Sequence, residues 1–320
     1  MSQRMNLPAP TTEKLKPLPP GSYPAMLTAF HDDGSFDWRG IDLLIEDCLE
    51  HGAAGIFACG LSAEIMNMDD DEQGRLAEYI VKRVDGRIPV VAAAITSGSI
   101  EDQAALIRRV HDCGADAVAI GVCQWATREE DDQTWNDHVA ALLEQIPDEV
   151  RLAMYETPLP YHRLLTEKNL HWAAGTGRFF FLKDTSCCLD TIRARVKILA
   201  GSNLRLLNAN TRTLLESLNA EVYGFCGIGS NYMPRLYAWL CENWSTQPQL
   251  AAEMQGFLAG SEALMEGSTY PASAKHYLKL RGLDIGASSR KIPGGISDEC
   301  AAQLAELRKQ ECEWLERIDN

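Results

Sequence analysis

Lys183 directly follows the apolar residues 179–182 in the stretch FFFLKDT. At the end of a buried strand, desolvation disfavours the ammonium form of a lysine and lowers its pKa. A neutral amine can attack a ketone to form an imine, which then acts as an electron sink for chemistry at the adjacent carbon. The alternative is a lysine paired with Asp184 or with another carboxylate at a strand end.

Tyr155 ends a second apolar run, in the stretch RLAMYET. If this run forms the strand beside the one that ends in Lys183, the phenol lies near the amine. It can then donate a proton to the departing carbinolamine oxygen and later exchange a proton with the substrate. The structural alternative is an amphipathic core tyrosine whose hydroxyl has an ordinary hydrogen-bond partner.

Residues 60–64, GLSAE, offer a site for an anion at the end of a third apolar run. Backbone N–H groups around Ser62 and Ala63, with the serine hydroxyl, suit a carboxylate at a strand-to-helix junction. The glycines of YGFCGIGS, including Gly229, let backbone approach a ligand closely. A tight loop with a capping serine and a crowded barrel corner are the structural alternatives.

The charge and hydropathy of the chain exclude several classes of partner. The formal net charge is −15, which opposes binding to nucleic acid because such proteins need basic faces to replace counterions at phosphates. No apolar stretch reaches 18 residues, and the N-terminus lacks the apolar segment of a signal peptide. We therefore expect a soluble, cytoplasmic protein with neither a nucleic-acid nor a membrane partner.

The ten cysteines show no Cys-x-x-Cys pair and do not stand beside metal-spaced histidines. Several lie inside apolar runs, where a free cysteine packs as a small hydrophobe. Reduced thiols are therefore expected rather than a disulfide framework. No metal or organic cofactor is predicted, because a lysine imine supplies its own electron sink.

These residues lie at the ends of short apolar runs that recur along the chain with helical segments between them, such as residues 40–50, 70–84 and 100–113. Eight runs are present: AMLTAF from Ala25, GIFACG from Gly55, PVVAAA from Pro89, AVAIGV from Ala117, RLAMYET from Arg151, FFFLKDT from Phe179, LRLLNAN from Leu204 and VYGFCG from Val222. Runs that are apolar throughout predict a parallel sheet covered on both faces. Eight β-then-α units favour a (β/α)₈ barrel, with chemistry at the carboxyl ends of the strands.

The domain prediction has three parts. Residues 1–20 are proline-rich and predict an extended tail, residues 21–247 the barrel, and residues 248–320 a C-terminal helical extension. No Gly-x-Gly-x-x-Gly follows the first strand, which disfavours a dinucleotide-binding fold.

From Gly21 to about Leu304 the chain resembles the family of dihydrodipicolinate synthase and N-acetylneuraminate lyase. The matching stretches are LTAFHDDGSFD, GLSAE, GRIPVVAA, CGADAVAI, MYETP, FLKDTS, YGFCGIGS, YPASAKHYLKLRGL and RKIPGG. The resemblance implies that Lys183 forms the imine and that Tyr155 is the acid/base. It also implies a homo-oligomer, either a dimer or a tetramer built from dimers.

The chain departs from this family at positions that matter for specificity. Leu61 stands where the synthases carry a threonine that relays protons, and Trp125 stands at the apparent position of a tyrosine supplied by the neighbouring subunit. Pro160 replaces the arginine that holds the aldehyde substrate's carboxylate; Arg163 either takes over that role or is an ordinary solvated residue. Glu156 replaces an asparagine. These changes argue against dihydrodipicolinate synthesis.

The sequence therefore predicts a lysine-imine lyase or aldolase acting on pyruvate or a related small 2-oxo acid. The reaction would be aldol cleavage or addition, or dehydration of a 2-keto-3-deoxy sugar acid. The alternatives are dihydrodipicolinate synthase itself and a barrel that binds a 2-oxo acid without turning it over. The side chains expected to shape the pocket are Trp125, Glu156, His162, Arg163 and Asn208.

Overall fold

The computed structural model describes residues 18–265 and 269–319. All the strands are parallel, and the sheet order β1-β8-β7-β6-β5-β4-β3-β2 places consecutive strands side by side. The strands are Gly21–Ser22 (β1), Ile56–Ala58 (β2), Val90–Ala93 (β3), Ala117–Gly121 (β4), Leu152–Tyr155 (β5), Phe179–Asp184 (β6), Arg205–Asn208 (β7) and Gly224–Phe225 (β8). The (β/α)₈ fold class predicted from the sequence is confirmed.

The helices follow the strands in turn. They are Trp38–Glu50 (α1), Asp70–Val84 (α2), Ile100–Asp112 (α3), Asp132–Leu143 (α4), Glu167–Thr176 (α5), Leu189–Leu199 (α6), Leu214–Asn219 (α7), Pro234–Asn243 (α8), Pro248–Met265 (α9), Ala272–Leu280 (α10) and Asp298–Asp319 (α11). The side chains of Asp37, Asp69 and Ser99 accept backbone N–H groups at the starts of α1, α2 and α3. These caps satisfy donors that the first helical turn leaves unpaired.

The first predicted strand is the one that needs correction. The run from Ala25 forms only an isolated bridge, between Ala25 and Phe57, and the regular strand β1 precedes it. Pro24 lacks the N–H that a continuous ladder needs. Met26 N–H donates to Phe57 O at 2.9 Å and Phe57 N–H donates to Pro24 O at 2.9 Å, so this segment still joins β1 to β2.

The barrel interior is filled by side chains. The ring of Phe181 packs inside it edge-on against Tyr23, with centroids 5.4 Å apart, and stacks with Phe57 at 6.0 Å. A packed interior leaves the carboxyl ends of the strands as the place for a site.

Three helices, α9 to α11, follow the barrel and pack on it. Arg281, just after α10, forms a two-pronged ion pair with Asp47 of α1 at 2.8 Å. Most of the predicted tail, residues 1–17, lies outside the described residues. Among the helices of residues 18–265 and 269–319, none has the length and apolarity that a membrane crossing requires.

Candidate active site

Lys183 lies near the carboxyl end of β6, directly beside Tyr155 of β5 in the strand register. Its side chain is buried, and Nζ lies 4.6 Å from the ring centroid of Phe57 and 4.7 Å from that of Tyr155. Within the described part of the chain no carboxylate forms an ion pair with Lys183. Asp184, the alternative partner considered from the sequence, binds Arg195 instead.

Burial sets the protonation of this lysine. Desolvation lowers the pKa of Lys183, and the interaction with the nearby Cys226 sulfur opposes part of that effect. Burial raises the pKa of the Cys226 thiol to about 11, so the sulfur is uncharged at neutral pH and cannot hold the ammonium form as a carboxylate would. The site therefore favours a neutral amine at a lower pH than solvent does.

Tyr155 presents a protonated phenol next to that amine. Burial raises its pKa, while hydrogen bonds with the Thr157 side chain and with the backbone N–H of Leu61 act in the opposite direction. Its ring packs edge-on against Phe57, with centroids 5.3 Å apart. A phenol that stays protonated at neutral pH can donate a proton beside Lys183.

The turn of residues 60–64 lies at the end of β2, where Leu61–Ala63 forms one 3₁₀ turn. Ala63 N–H is taken up by Gly60 O at 3.0 Å, so Ala63 offers less to an anion than the sequence suggested. Ser62 is buried, and its Oγ accepts the hydroxyl of Tyr270 at 2.8 Å. Tyr270 is a residue that sequence reasoning missed, since no local signal connects positions 62 and 270.

Glu64 fixes this turn to the C-terminal helices. It adopts a left-handed backbone conformation, with φ of 66°, and both its side chain and that of Lys275 are fully buried. Lys275 Nζ lies 2.6 Å from Glu64 Oε1, while Ser289 Oγ and Lys291 N–H donate to Oε2 at 2.9 Å and 2.8 Å. The position of Ser62 therefore depends on residues beyond the barrel.

Glu156 belongs to a buried network behind the site. Its two carboxylate oxygens accept N–H groups from Leu165 at 2.7 Å, from Thr185 at 3.1 Å and from Arg195 at 2.7 and 2.9 Å. Arg195 of α6 also binds Asp184. These contacts use every acceptor of Glu156 and do not support the expectation that it shapes a substrate pocket.

Strand geometry explains that placement. Successive side chains on a strand point to opposite faces, so Glu156 and Asp184 face the helices when Tyr155 and Lys183 face the interior. The register pairs Asp184 with Asn208, which places Asn208 on the outer face as well. Its amide donates to Thr213 and Ser217, both at 3.0 Å, and it is fully buried. The alternation of side chains along a strand, with a period of two residues, was the sequence signal that could have placed Glu156 and Asn208 on the outer face of the sheet.

The structure also places the remaining predicted residues. The Arg163 guanidinium donates to the carbonyl oxygens of Thr127 at 2.9 Å and Glu130 at 3.2 Å, so it braces a loop. Trp125 is buried, and its indole N–H has no partner in the described ranges. A Cβ at Gly229 would overlap the Tyr237 hydroxyl, which favours the crowded corner considered above.

Comparison with known proteins identifies the family. The sequence profile of the Dihydrodipicolinate synthetase family matches residues 19–311. The chain belongs to this family. A 4-hydroxy-tetrahydrodipicolinate synthase from Marinobacter nauticus (strain ATCC 700491 / DSM 11845 / VT8) is 26% identical over 223 residues, covering 69% of this chain and 74% of the relative.

Solved structures of the dihydrodipicolinate synthetase family share the fold. A monomeric dihydrodipicolinate synthase variant superposes with a TM-score of 0.84 at 20% identity, covering 95% of this chain and 100% of the other. YagE, a prophage protein of the dihydrodipicolinic acid synthase family from E. coli K12 solved with pyruvate, gives 0.83 at 19% identity, with coverages of 91% and 98%. At these identities the likeness shows the fold alone.

The structure shows what two residues that depart from the dihydrodipicolinate synthetase pattern, Leu61 and Trp125, contact. Leu61 brings no hydroxyl, and its backbone N–H meets the Tyr155 phenol instead. Trp125 packs into the core of its own chain. The groups that hydrogen-bond to the Tyr155 phenol are the side chain of Thr157 and the backbone N–H of Leu61.

Proposed function

We propose that the protein is a lysine-imine lyase or aldolase acting on pyruvate or a related 2-oxo acid. Lys183 is the nucleophile, Tyr155 the proton carrier, and Ser62 a donor to the substrate carboxylate. The observation that carries the proposal is the register pair of Tyr155 and Lys183, in which a buried amine faces aromatic rings and a phenol rather than a carboxylate.

The chemistry follows from these two groups. The Lys183 lone pair attacks the ketone carbon, and Tyr155 carries a first proton from nitrogen to oxygen to give the carbinolamine. It then carries a second, so that the carbon–oxygen bond breaks and amine and ketone have become an imine and one water. Once protonated, the imine nitrogen draws in the electron pair of a bond at the adjacent carbon. Cleavage of a carbon–carbon bond there releases an aldehyde, and loss of a proton there permits elimination of a hydroxyl as water.

The family supports a 2-oxo acid as the first substrate, since a neighbour of the same fold was solved with pyruvate. The second substrate is proposed to differ from that of the synthases. Pro160 occupies the position of their arginine, and the nearby Arg163 is engaged by two backbone carbonyls. Nothing in this arrangement recreates a cation at the aldehyde position, which favours another aldehyde or a 2-keto-3-deoxy sugar acid.

The test is intact-protein mass after incubation with pyruvate and borohydride. We expect a reduced adduct on the wild type and none on Lys183→Ala, because reduction traps only an imine. Lys197→Ala, which removes an exposed lysine of α6, is the matched control and should keep the adduct.

Absence of an adduct with pyruvate and with a panel of longer 2-oxo acids would overturn the proposal and favour a barrel that binds without chemistry. An adduct together with turnover of the synthase aldehyde would instead identify dihydrodipicolinate synthesis.

A further inference from the structure

We propose that Tyr270 and Asn231 orient the Ser62 hydroxyl so that it donates to the substrate carboxylate, which makes both of them positioning residues for 2-oxo acid recognition. This inference rests on the proposed function and deepens it. It gives the C-terminal segment after α9 a role in selecting an acid over a neutral ketone.

Three polar side chains form a continuous chain of hydrogen bonds. Asn231 Nδ2 donates to the Tyr270 hydroxyl oxygen at 2.9 Å, and that hydroxyl lies 2.8 Å from Ser62 Oγ. All three residues are buried yet retain slight exposure, at 7%, 9% and 4% respectively. These hydrogen bonds thus connect Asn231, in the turn after β8, with Ser62, in the turn after β2.

The direction of these bonds is fixed at the asparagine. Asn231 Nδ2 also donates to the backbone carbonyl of Ala25 at 2.7 Å. A carbonyl only accepts, so the amide nitrogen must be the atom that faces it, and an amide nitrogen only donates. The Tyr270 oxygen therefore accepts from Asn231, and its own hydrogen must go to Ser62.

The direction of these hydrogen bonds leaves the hydrogen of the Ser62 hydroxyl available to a ligand. Its oxygen accepts from Tyr270, so its own hydrogen points away from the tyrosine, and no acceptor for it lies within the described residues. A hydroxyl that already accepts is a stronger donor, because successive hydrogen bonds polarise one another. A carboxylate is the acceptor that benefits most, since charge-assisted hydrogen bonds are about twice as strong as neutral ones.

This chain of hydrogen bonds also lies close to Tyr155, the proposed proton carrier. Leu61, the residue before Ser62, supplies a backbone N–H to the Tyr155 phenol. Burial raises the pKa of Tyr270, so Tyr270 keeps its proton across neutral pH and remains a donor. Lys291 Nζ donates to the Tyr270 carbonyl at 3.2 Å and holds the residue in place.

The experiment compares pyruvate with methyl pyruvate in borohydride trapping of the full-length protein. The ester keeps the ketone and lacks the negative charge. In Tyr270→Phe we expect the half-saturating pyruvate concentration to rise about two- to tenfold, the range of one hydrogen bond. The value for methyl pyruvate should change less, so discrimination between the two falls.

Two further variants separate orientation from general damage. Tyr277→Phe removes another buried tyrosine hydroxyl, which donates to Glu311 at 2.7 Å rather than to Ser62, and should leave discrimination unchanged. On a Ser62→Ala background, Tyr270→Phe should add no further loss. If Tyr270→Phe fails to fold, Asn231→Ala serves instead. Without the amide donor the Tyr270 oxygen is no longer held as an acceptor, so its hydrogen is no longer directed to Ser62 and discrimination should also fall.

The outcomes distinguish the two proposals. If the wild type is never trapped, the proposed function fails. If the wild type is trapped while Tyr270→Phe and Asn231→Ala discriminate as it does, only the positioning role fails. An equal rise in the half-saturating concentrations of pyruvate and methyl pyruvate would likewise overturn the positioning role, because it would show a general structural effect of the substitution.

Discussion

The chain buries two lysines near its candidate site, and their surroundings differ. Lys275 lies 2.6 Å from the carboxylate of Glu64, whereas Lys183 faces the rings of Phe57 and Tyr155. Burial lowers the pKa of both, but only Lys275 has an anion to stabilise its charge. Burial alone therefore does not make a nucleophile; burial without a carboxylate does.

This difference predicts a pH dependence. Because burial lowers the pKa of Lys183, imine formation should rise with pH through a midpoint below the ordinary lysine value of about 10.4. The Cys226 sulfur raises that pKa, so Cys226→Ala should move the midpoint to lower pH. The measurement is the trapping rate at saturating pyruvate across pH. Cys48→Ala, a buried cysteine of α1, should not shift it, and a shift to higher pH in Cys226→Ala would contradict the assignment.

At the scale of elements, one arginine joins two strands and a helix. Arg195 of α6 binds Glu156 after β5 and Asp184 at the end of β6. These two carboxylates are the chain neighbours of Tyr155 and Lys183. The arginine thus holds the ends of both strands in register and keeps the phenol beside the amine.

Removing this arginine should be costly. Arg195→Met leaves two buried carboxylates without a cation, and loss of one partner from a buried pair costs about 3–5 kcal/mol. We expect the free energy of unfolding, measured in urea, to fall by that amount. Arg193→Met, which removes an arginine on the same helix with a half-exposed side chain, should change it by less than about 0.5 kcal/mol. Equal losses in the two variants would show that the network does not stabilise β5 and β6.

The sequence predicts which residues end the strands better than it predicts the contacts between those strand ends and the surrounding helices. Seven apolar runs became strands, and they brought Lys183 and Tyr155 together because neighbouring parallel strands end at one edge. Glu156 and Asn208 lie on the face that points to the helices, because Glu156 directly follows Tyr155 of β5 and Asn208, the last residue of β7, pairs with Asp184. Their partners come from α6 and α7, whose orientation no strand pattern reveals.

At the scale of the whole molecule, the C-terminal segments complete the site. Ser62 contacts Tyr270, and Glu64 contacts Lys275, Ser289 and Lys291. These pairs are more than two hundred residues apart in sequence. A single amino-acid sequence carries no signal for contacts between such distant positions, so the helical segments were predicted but not their part in the site.

The buried pair of Glu64 and Lys275 yields a stability prediction. Lys275→Met leaves the Glu64 charge buried without its cation, and we expect the free energy of unfolding to fall by about 3–5 kcal/mol. Lys309→Met breaks an exposed pair with Glu306 and should lower the free energy of unfolding far less, because solvent screens an exposed pair. Urea denaturation of both variants is the measurement. A loss in Lys275→Met no larger than in Lys309→Met would mean that the C-terminal helices do not hold the turn.

The same pair sets an order of events during synthesis. Domains form from the N-terminus as the chain leaves the ribosome, and every strand of the barrel precedes position 226. A nascent chain that has reached that point contains Lys183 and Tyr155, while Glu64 still lacks its cation. A carboxylate without a cation is costly to remove from water. The turn beside Ser62 therefore cannot become buried until Lys275 has been synthesised and pairs with Glu64. A truncated product would thus contain the proposed nucleophile, Lys183, while the turn at the proposed carboxylate site stays open until the C-terminal helices are made.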